Sequence, residues 1–289
     1  IGLALMIGRV IPRRIGYKLA ELIADRLSAQ TQSPMITSAR LNQWMVTGQQ
    51  LAGEELTLAV NHAVRTTAHC QFDLYHNIRQ PENLIRMINL TPYCQQVIDN
   101  LLNKKEPMLV VGLHLSNLDI AFMALGTLGI KVFGISVPNP GGGYQWQNEI
   151  RNRFGFELMP GSREAVRIAM KRFQQGSTLV LGADRPITGS KYKPSFFGHP
   201  SSLPVLHVSL ALKLDTPLYL SHCTLQEDGK YLLDMSEPIY MERKPDRFSE
   251  IMVNAENILE AAEHVISQVP EQWAMYYPVW PDLAEQVPR

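Results

Sequence analysis

The chain has 289 residues, of which 45% are hydrophobic, so it can bury a large core in one large domain or two small ones. Lysine plus arginine and aspartate plus glutamate total 27 each, which removes any global electrostatic case for nucleic acid and leaves only local charged contacts. Cys70, Cys94 and Cys223 are widely spaced, odd in number and outside any C-x-x-C pattern; neither a disulfide framework nor a zinc knuckle is indicated, and a reducing compartment is the default.

The chain opens at Ile1 without a methionine, in the apolar run Ile1 to Ile7, which raises the expectation that an upstream segment has been removed. No stretch reaches the roughly 18 to 20 consecutive apolar residues of a spanning helix. In residues 1–27 the cations Arg9, Arg13, Arg14 and Lys18 precede the first acid, Glu21. Two readings stay open: an interfacial helix whose cations meet anionic head groups, or an ordinary amphipathic helix packed on the core.

Residues 1–105 read as a helical region with no strand alternation, and 106–289 as an α/β core. After Pro107, MLVVGLHL is a continuous apolar run of the kind a doubly covered sheet buries. SNLDIAFMALGTLGI follows as a helix, KVFGISVP as a strand, PNPGGG as a loop and YQWQNEIRNRFG as a helix. Residues 163–175 form the next helix, closed by Gly176, and STLVLGAD the next buried strand, the alternation of an α/β fold with a helix-flanked sheet. LPVLHVSLALKL predicts a helix, residues 216–240 a hairpin turning near Asp228 and Gly229, and residues 254–268 a last helix.

Phosphate-loop, dinucleotide, nucleophile-elbow and zincin signatures are all absent, which argues against a nucleotide enzyme, a common serine hydrolase and a metalloprotease. What remains is H-x-x-x-x-D at His114 and Asp119. With eight histidines and about one acid in ten residues, such a pair arises about once by chance. Two occur, the second being His222 with Glu227. That pair sits in an alternating strand running to a hairpin tip and reads as structural. His114 ends a buried strand just before a helix, at the carboxyl edge of the sheet where open α/β folds bind ligands. Its plain alternative is a satisfied strand-end histidine, with Asp119 completing a capping box begun by Ser116.

At HLSNLD the chain resembles the first motif of the lysophospholipid acyltransferase superfamily, and within it the bacterial lipid A biosynthesis acyltransferase family of late lauroyl and myristoyl transferases. NEIRNRFGFELMP, GSTLVLGADRP, the FFG of PSFFGHPSSLP and VPEQWAMYYPVW are similar to later blocks of that family, in the same order. Departures are Leu118 where the family commonly has Trp, Asp184-Arg185 in place of Asp-Gln or Asp-His, and Met275 to Pro278 where His and paired arginines often follow.

The resemblance implies a glycerolipid acyltransferase-like fold with a central mixed sheet. It implies acyl transfer from a thioester of acyl carrier protein or coenzyme A to a hydroxyl of a glycolipid or lysolipid, at the cytoplasmic face of a bacterial inner membrane with anionic lipid as partner. No cofactor or metal is implied. His114 would act as general base and Asp119 would orient it; Arg151 or Arg153 would stabilise the oxyanion or hold an anionic group, Arg153 matching the family block better. Asp184 would orient an arginine or the acceptor, or merely start a turn, and Arg185 would meet a phosphate. Phe196 and Phe197 would line an acyl tunnel or belong to the core. A hydrolase using the same base on water, and a noncatalytic lipid-binding protein of the same fold, are the alternatives.

Overall fold

The structure, a computed structural model, describes residues 11–78, 80–104, 106–136, 138 and 142–288; the apolar start at residues 1–10 and most of the glycine-rich loop lie outside the described residues. Four helices come first: α1 (Arg13–Ser28), α2 (Pro34–Val46), α3 (Gly53–Asn77) and α4 (Pro81–Arg86). They are followed by β1 (Ile88–Leu90), α5 (Pro92–Lys104), β2 (Leu109–Gly112), α6 (Leu118–Thr127), β3 (Val132–Ser136), α7 (Gly142–Arg153) and β4 (Phe156–Pro160). The remainder is α8 (Arg163–Gln174), β5 (Thr178–Gly182), the short pair β6 (Ser195–Phe196) and β7 (His199–Pro200), α9 (Leu206–Leu214), β8 (Leu218–Leu225), β9 (Tyr231–Met235) and α10 (Arg247–Gln268).

Seven strands form one mixed sheet in the order β1-β9-β8-β2-β5-β3-β4. The β8–β9 hairpin is antiparallel and the other pairings are parallel. Alternation along β2 explains why its sequence is an unbroken apolar run. Leu109 and Val111 pack into one cluster with α2, α9 and α10, while Val110 enters another with α5 and α6. Leu179 and Leu181 of β5 divide from Val180 in the same way.

Two elements depart from the expected list. FELMP is the edge strand β4, and Ile88–Leu90 is a three-residue strand parallel to β9, inside the region read as wholly helical. Both are short, and β1 has no fully buried residue, so neither shows the apolar run or alternation that marks a strand in sequence. The last helix begins seven residues earlier than expected because Asp246 caps it, its carboxylate accepting from the amides of Phe248 and Ser249 at 3.0 and 2.9 Å. Leu41, Trp44, Met45, Val46 and Leu56 share the cluster of Leu109 and Val111, so α2 and α3 are built against the sheet.

Two close approaches fix helices that matter below. Gly16 lets α1 lie on α3, since a Cβ there would fall 2.0 Å from the Phe72 ring. On α6, a Cβ at Gly126 would fall 2.0 Å from the backbone oxygen of Phe154. That contact seats α6 directly against the end of α7, and the first turn of α6 carries Asp119 while the last turn of α7 carries Arg151.

Candidate active site

β2 and β5 are paired in register, with Gly112 opposite Gly182. His114 and Asp184 each lie two residues beyond those glycines, so the parallel register brings them side by side above the sheet. The imidazole needs room there: a Cβ on Gly182 would stand 3.3 Å from His114 Cε1.

Asp184 is fully buried and receives three donors. Its Oδ1 faces His114 Nδ1 at 2.6 Å, and its Oδ2 accepts from the His114 amide at 2.9 Å and from the Trp273 indole Nε1 at 2.8 Å. Burial pushes the carboxyl up, but the charge of His114 and these hydrogen bonds outweigh it and hold Asp184 below the ordinary carboxylate range. The same carboxylate overcomes the effect of burial on His114, which is raised above the ordinary imidazole value, with Arg185 opposing and Asp119 assisting. The histidine side chain keeps 39% of its surface exposed, whereas Asp184 has none. An ionised Asp184 fixes Nδ1 as the protonated nitrogen, which leaves Nε2 as the acceptor.

This corrects the expected partner of His114. Asp119 lies in the first turn of α6 and forms a two-point ion pair with Arg151, Nε to Oδ1 at 2.8 Å and Nη2 to Oδ2 at 2.6 Å. Arg151 Nη1 donates to Asn148 Oδ1 at 2.8 Å. A carboxylate one turn into the helix is set to meet a guanidinium from the neighbouring helix, and its charge reaches His114 only through space. The capping box is not formed either: Asn117 is the cap of α6 without a side-chain capping bond, its side-chain amide donating to the Cys70 carbonyl instead, and the Ser116 hydroxyl is engaged elsewhere. Asp119 and Arg151 border a narrow cleft lined by Leu74, Tyr75, Ile78, Met123 and Ile150, with space for about one water.

Arg153, the better family match, is exposed at the end of α7, whereas Arg151 is buried in the ion pair. The Arg185 guanidinium lies 4.1 Å from the centre of the Tyr277 ring, close enough to His114 for its charge to be felt there. Phe196 is fully buried, stacked on Trp280 and edge-on to Trp273, so it belongs to the core beneath the site. His222 sits in β8 as expected for a strand residue, with Glu227 at the hairpin turn.

Gln272 and Trp273, which no spacing singled out, touch the site directly. Their signal lay in the P-E-Q-W block, a short segment after a long helix whose Trp and Gln carry polar groups that must find partners when buried. Leu115 and Trp273 form an antiparallel bridge, the Ala274 amide donating to the His114 carbonyl and the Ser116 amide to the Gln272 carbonyl, both at 2.8 Å.

The α/β sheet thus carries at its carboxyl edge a histidine hydrogen-bonded to a buried carboxylate, with a second, arginine-bound acid five residues after that histidine, a geometry able to take a proton from a substrate hydroxyl. The family model for bacterial lipid A biosynthesis acyltransferases matches residues 4–281, and the chain belongs to that family. Over 142 residues it is 25% identical to a phosphatidylinositol mannoside acyltransferase of Mycolicibacterium smegmatis, covering 48% of this chain and 45% of that one. Over 89 residues it is 29% identical to the protein of the same description in Mycobacterium tuberculosis, covering 30% and 28%. The matched stretches therefore span less than half the length of these curated relatives.

The geometry predicts which acid governs the imidazole. In a histidine NMR titration, Asp184→Asn should lower the His114 pKa below that of the wild type, because burial then acts without the adjacent charge. Asp119→Asn should shift it less. Equal shifts, or a larger one from Asp119→Asn, would contradict the pairing.

Proposed function

We propose that this protein transfers a fatty acyl chain from a thioester to a hydroxyl of a glycolipid or lysolipid at a membrane surface, with His114 as general base. The single observation that carries the reading is the His114–Asp184 contact at the sheet edge: with the proton on Nδ1, Nε2 is the acceptor, on a ring that keeps part of its surface exposed. In the proposed step, Nε2 takes the proton of the acceptor hydroxyl as its oxygen bonds to the thioester carbonyl carbon. The imidazolium is stabilised by Asp184. Collapse of the tetrahedral intermediate breaks the carbon–sulfur bond, and the proton passes from His114 to the departing thiolate. No acyl-enzyme is needed, and none of the three cysteines, all buried with thiols pushed up by that burial, is suited to be a nucleophile.

Asp119 and Arg151 act as one unit that shapes the rim of the site, while Arg185, stacked on Tyr277, is the cation best placed to meet the developing oxyanion or a substrate phosphate. The names of the mycobacterial relatives favour a glycolipid acceptor, and acyl carrier protein or coenzyme A would supply the thioester. The test is thioester consumption with both donor types against a panel of lipid acceptors. His114→Ala, at matched folding, should lose on the order of a hundredfold or more in acceptor-dependent transfer. Full activity in that variant would remove His114 from the chemistry, and free fatty acid formed without acceptor would make the protein a hydrolase.

Membrane contact is assigned to α1. Gly16, Ala20 and Ala24 are buried toward α3, which leaves Ile15, Leu19, Leu22 and Ile23 exposed along the opposite side, Leu22 at 65%. Arg14, Lys18 and Arg26 are exposed on the same helix, whereas its acids Glu21 and Asp25 are bound by His69 and Arg65 of α3. An apolar stripe edged by cations, with the acids turned aside, suits an anionic lipid interface. Among the described residues no helix is long and apolar enough to cross a membrane. Replacing Leu22 and Ile23 together by Ser should weaken flotation with phosphatidylglycerol vesicles about tenfold or more without altering circular dichroism. Unchanged flotation would remove α1 from the contact.

A further inference from the structure

We propose that Trp273 is a positioning residue for the transfer reaction, its indole N–H holding the Asp184 carboxylate in the plane that orients His114. The proposal rests on the base reading of His114 and adds a residue remote in sequence to it.

Two of the three donors to Asp184 come from one residue, His114, through its amide and its ring. An aspartate carboxylate turns easily about its last torsion, because that torsion is broad and two-fold. With His114 alone as partner, Asp184 would be held only by the loop whose histidine it orients. The third donor comes from a different segment and adds an independent anchor: Trp273 Nε1 meets Oδ2 at 2.8 Å.

The indole is itself immobilised. Trp273 is 1% exposed and packs edge-on against Phe196 at 6.1 Å and tilted against Trp280 at 6.3 Å. Around it, the segment that follows α10 is sewn to the loop that carries the histidine. Besides the two backbone bonds of the Leu115–Trp273 bridge, the Gln272 side chain joins three pieces of chain. Its Oε1 accepts from the Ser116 hydroxyl and from the Leu225 amide at 2.7 Å, and its Nε2 donates to the Leu225 carbonyl at 3.1 Å.

Ser116 shows what this clamp opposes. Its φ is +45°, a left-handed conformation that side-chain-bearing residues adopt only when the surroundings over-determine it. Strain of this kind, two residues after the proposed base, is held by bonds from Gln272 on both its amide and its hydroxyl. A buried indole N–H needs an acceptor, and any carbonyl would meet that structural need. Here the acceptor is the one carboxylate that orients His114, which ties the indole to the site as well as to the core.

The test separates N–H from ring. Trp273→Phe keeps an aromatic core residue and removes the donor; β-(3-benzothienyl)alanine at the same position keeps the bicyclic shape and replaces N–H by sulfur, covering the case in which Trp273→Phe fails to fold. Losing the donor makes Asp184 a stronger base toward the imidazolium, so the acid limb of the kcat/KM profile should move to higher pH. At the pH optimum kcat should fall about tenfold, the scale of one lost hydrogen bond to a charged group, with KM changed less than about twofold. A wild-type kcat and an unmoved acid limb in the benzothienyl protein would overturn the proposal. His114→Ala measured alongside keeps the two claims apart: if it remains active the base reading fails, and if it is inactive while the benzothienyl protein behaves as wild type, only the role of Trp273 fails.

Discussion

A carboxylate with no solvent contact is expensive unless it is met by donors, and Asp184 sits at the centre of this protein on those terms. Its three donors tie two separate parts of the chain to the sheet edge. The His114 amide and ring fix the turn after β2, and the Trp273 indole fixes the segment after α10. Remove the charge and two buried donors, the indole N–H and the His114 amide, lose their acceptor. The site is therefore an integral part of the core between the sheet and the Phe196, Trp273 and Trp280 cluster, and its rigidity follows from that position.

Two acids near one histidine are given different environments. Asp184 is buried and acts on the imidazole through direct hydrogen bonds, whereas Asp119 is partly exposed and saturated by a guanidinium. The separation begins in the backbone. Parallel register puts the residue two places past β5 beside the residue two places past β2, while the first turn of α6 directs its acid toward α7. The absent side chain of Gly126 allows the two helices to meet closely enough for that second pair to form.

Much of this was legible in the residues. The unbroken apolar runs MLVVGLHL and STLVLGAD identified the two central strands because a doubly covered sheet hides both faces, and His114 at the end of one pointed to the carboxyl edge. The partnership of His114 with Asp119 was misread because a short spacing suggests a contact that the chain geometry does not make. Seventy residues separate His114 from Asp184, and only the register between β2 and β5 makes them neighbours. Nor does local sequence carry the Trp273 contact, which depends on how the end of α10 returns to the sheet. The edge strands β1 and β4 were silent for a related reason: an edge strand needs little burial, so its residues show no pattern.

The central claim is that one acid, Asp184, makes His114 a base while the other, Asp119, serves a separate ion pair. Steady-state acyl transfer followed across pH for Asp184→Asn and Asp119→Asn addresses it most directly. The account predicts that Asp184→Asn lowers kcat by about a hundredfold or more, as loss of an oriented base does, and moves the acid limb to lower pH. Asp119→Asn should keep that limb close to the wild-type position. A displaced limb in Asp119→Asn with a normal one in Asp184→Asn would contradict the account.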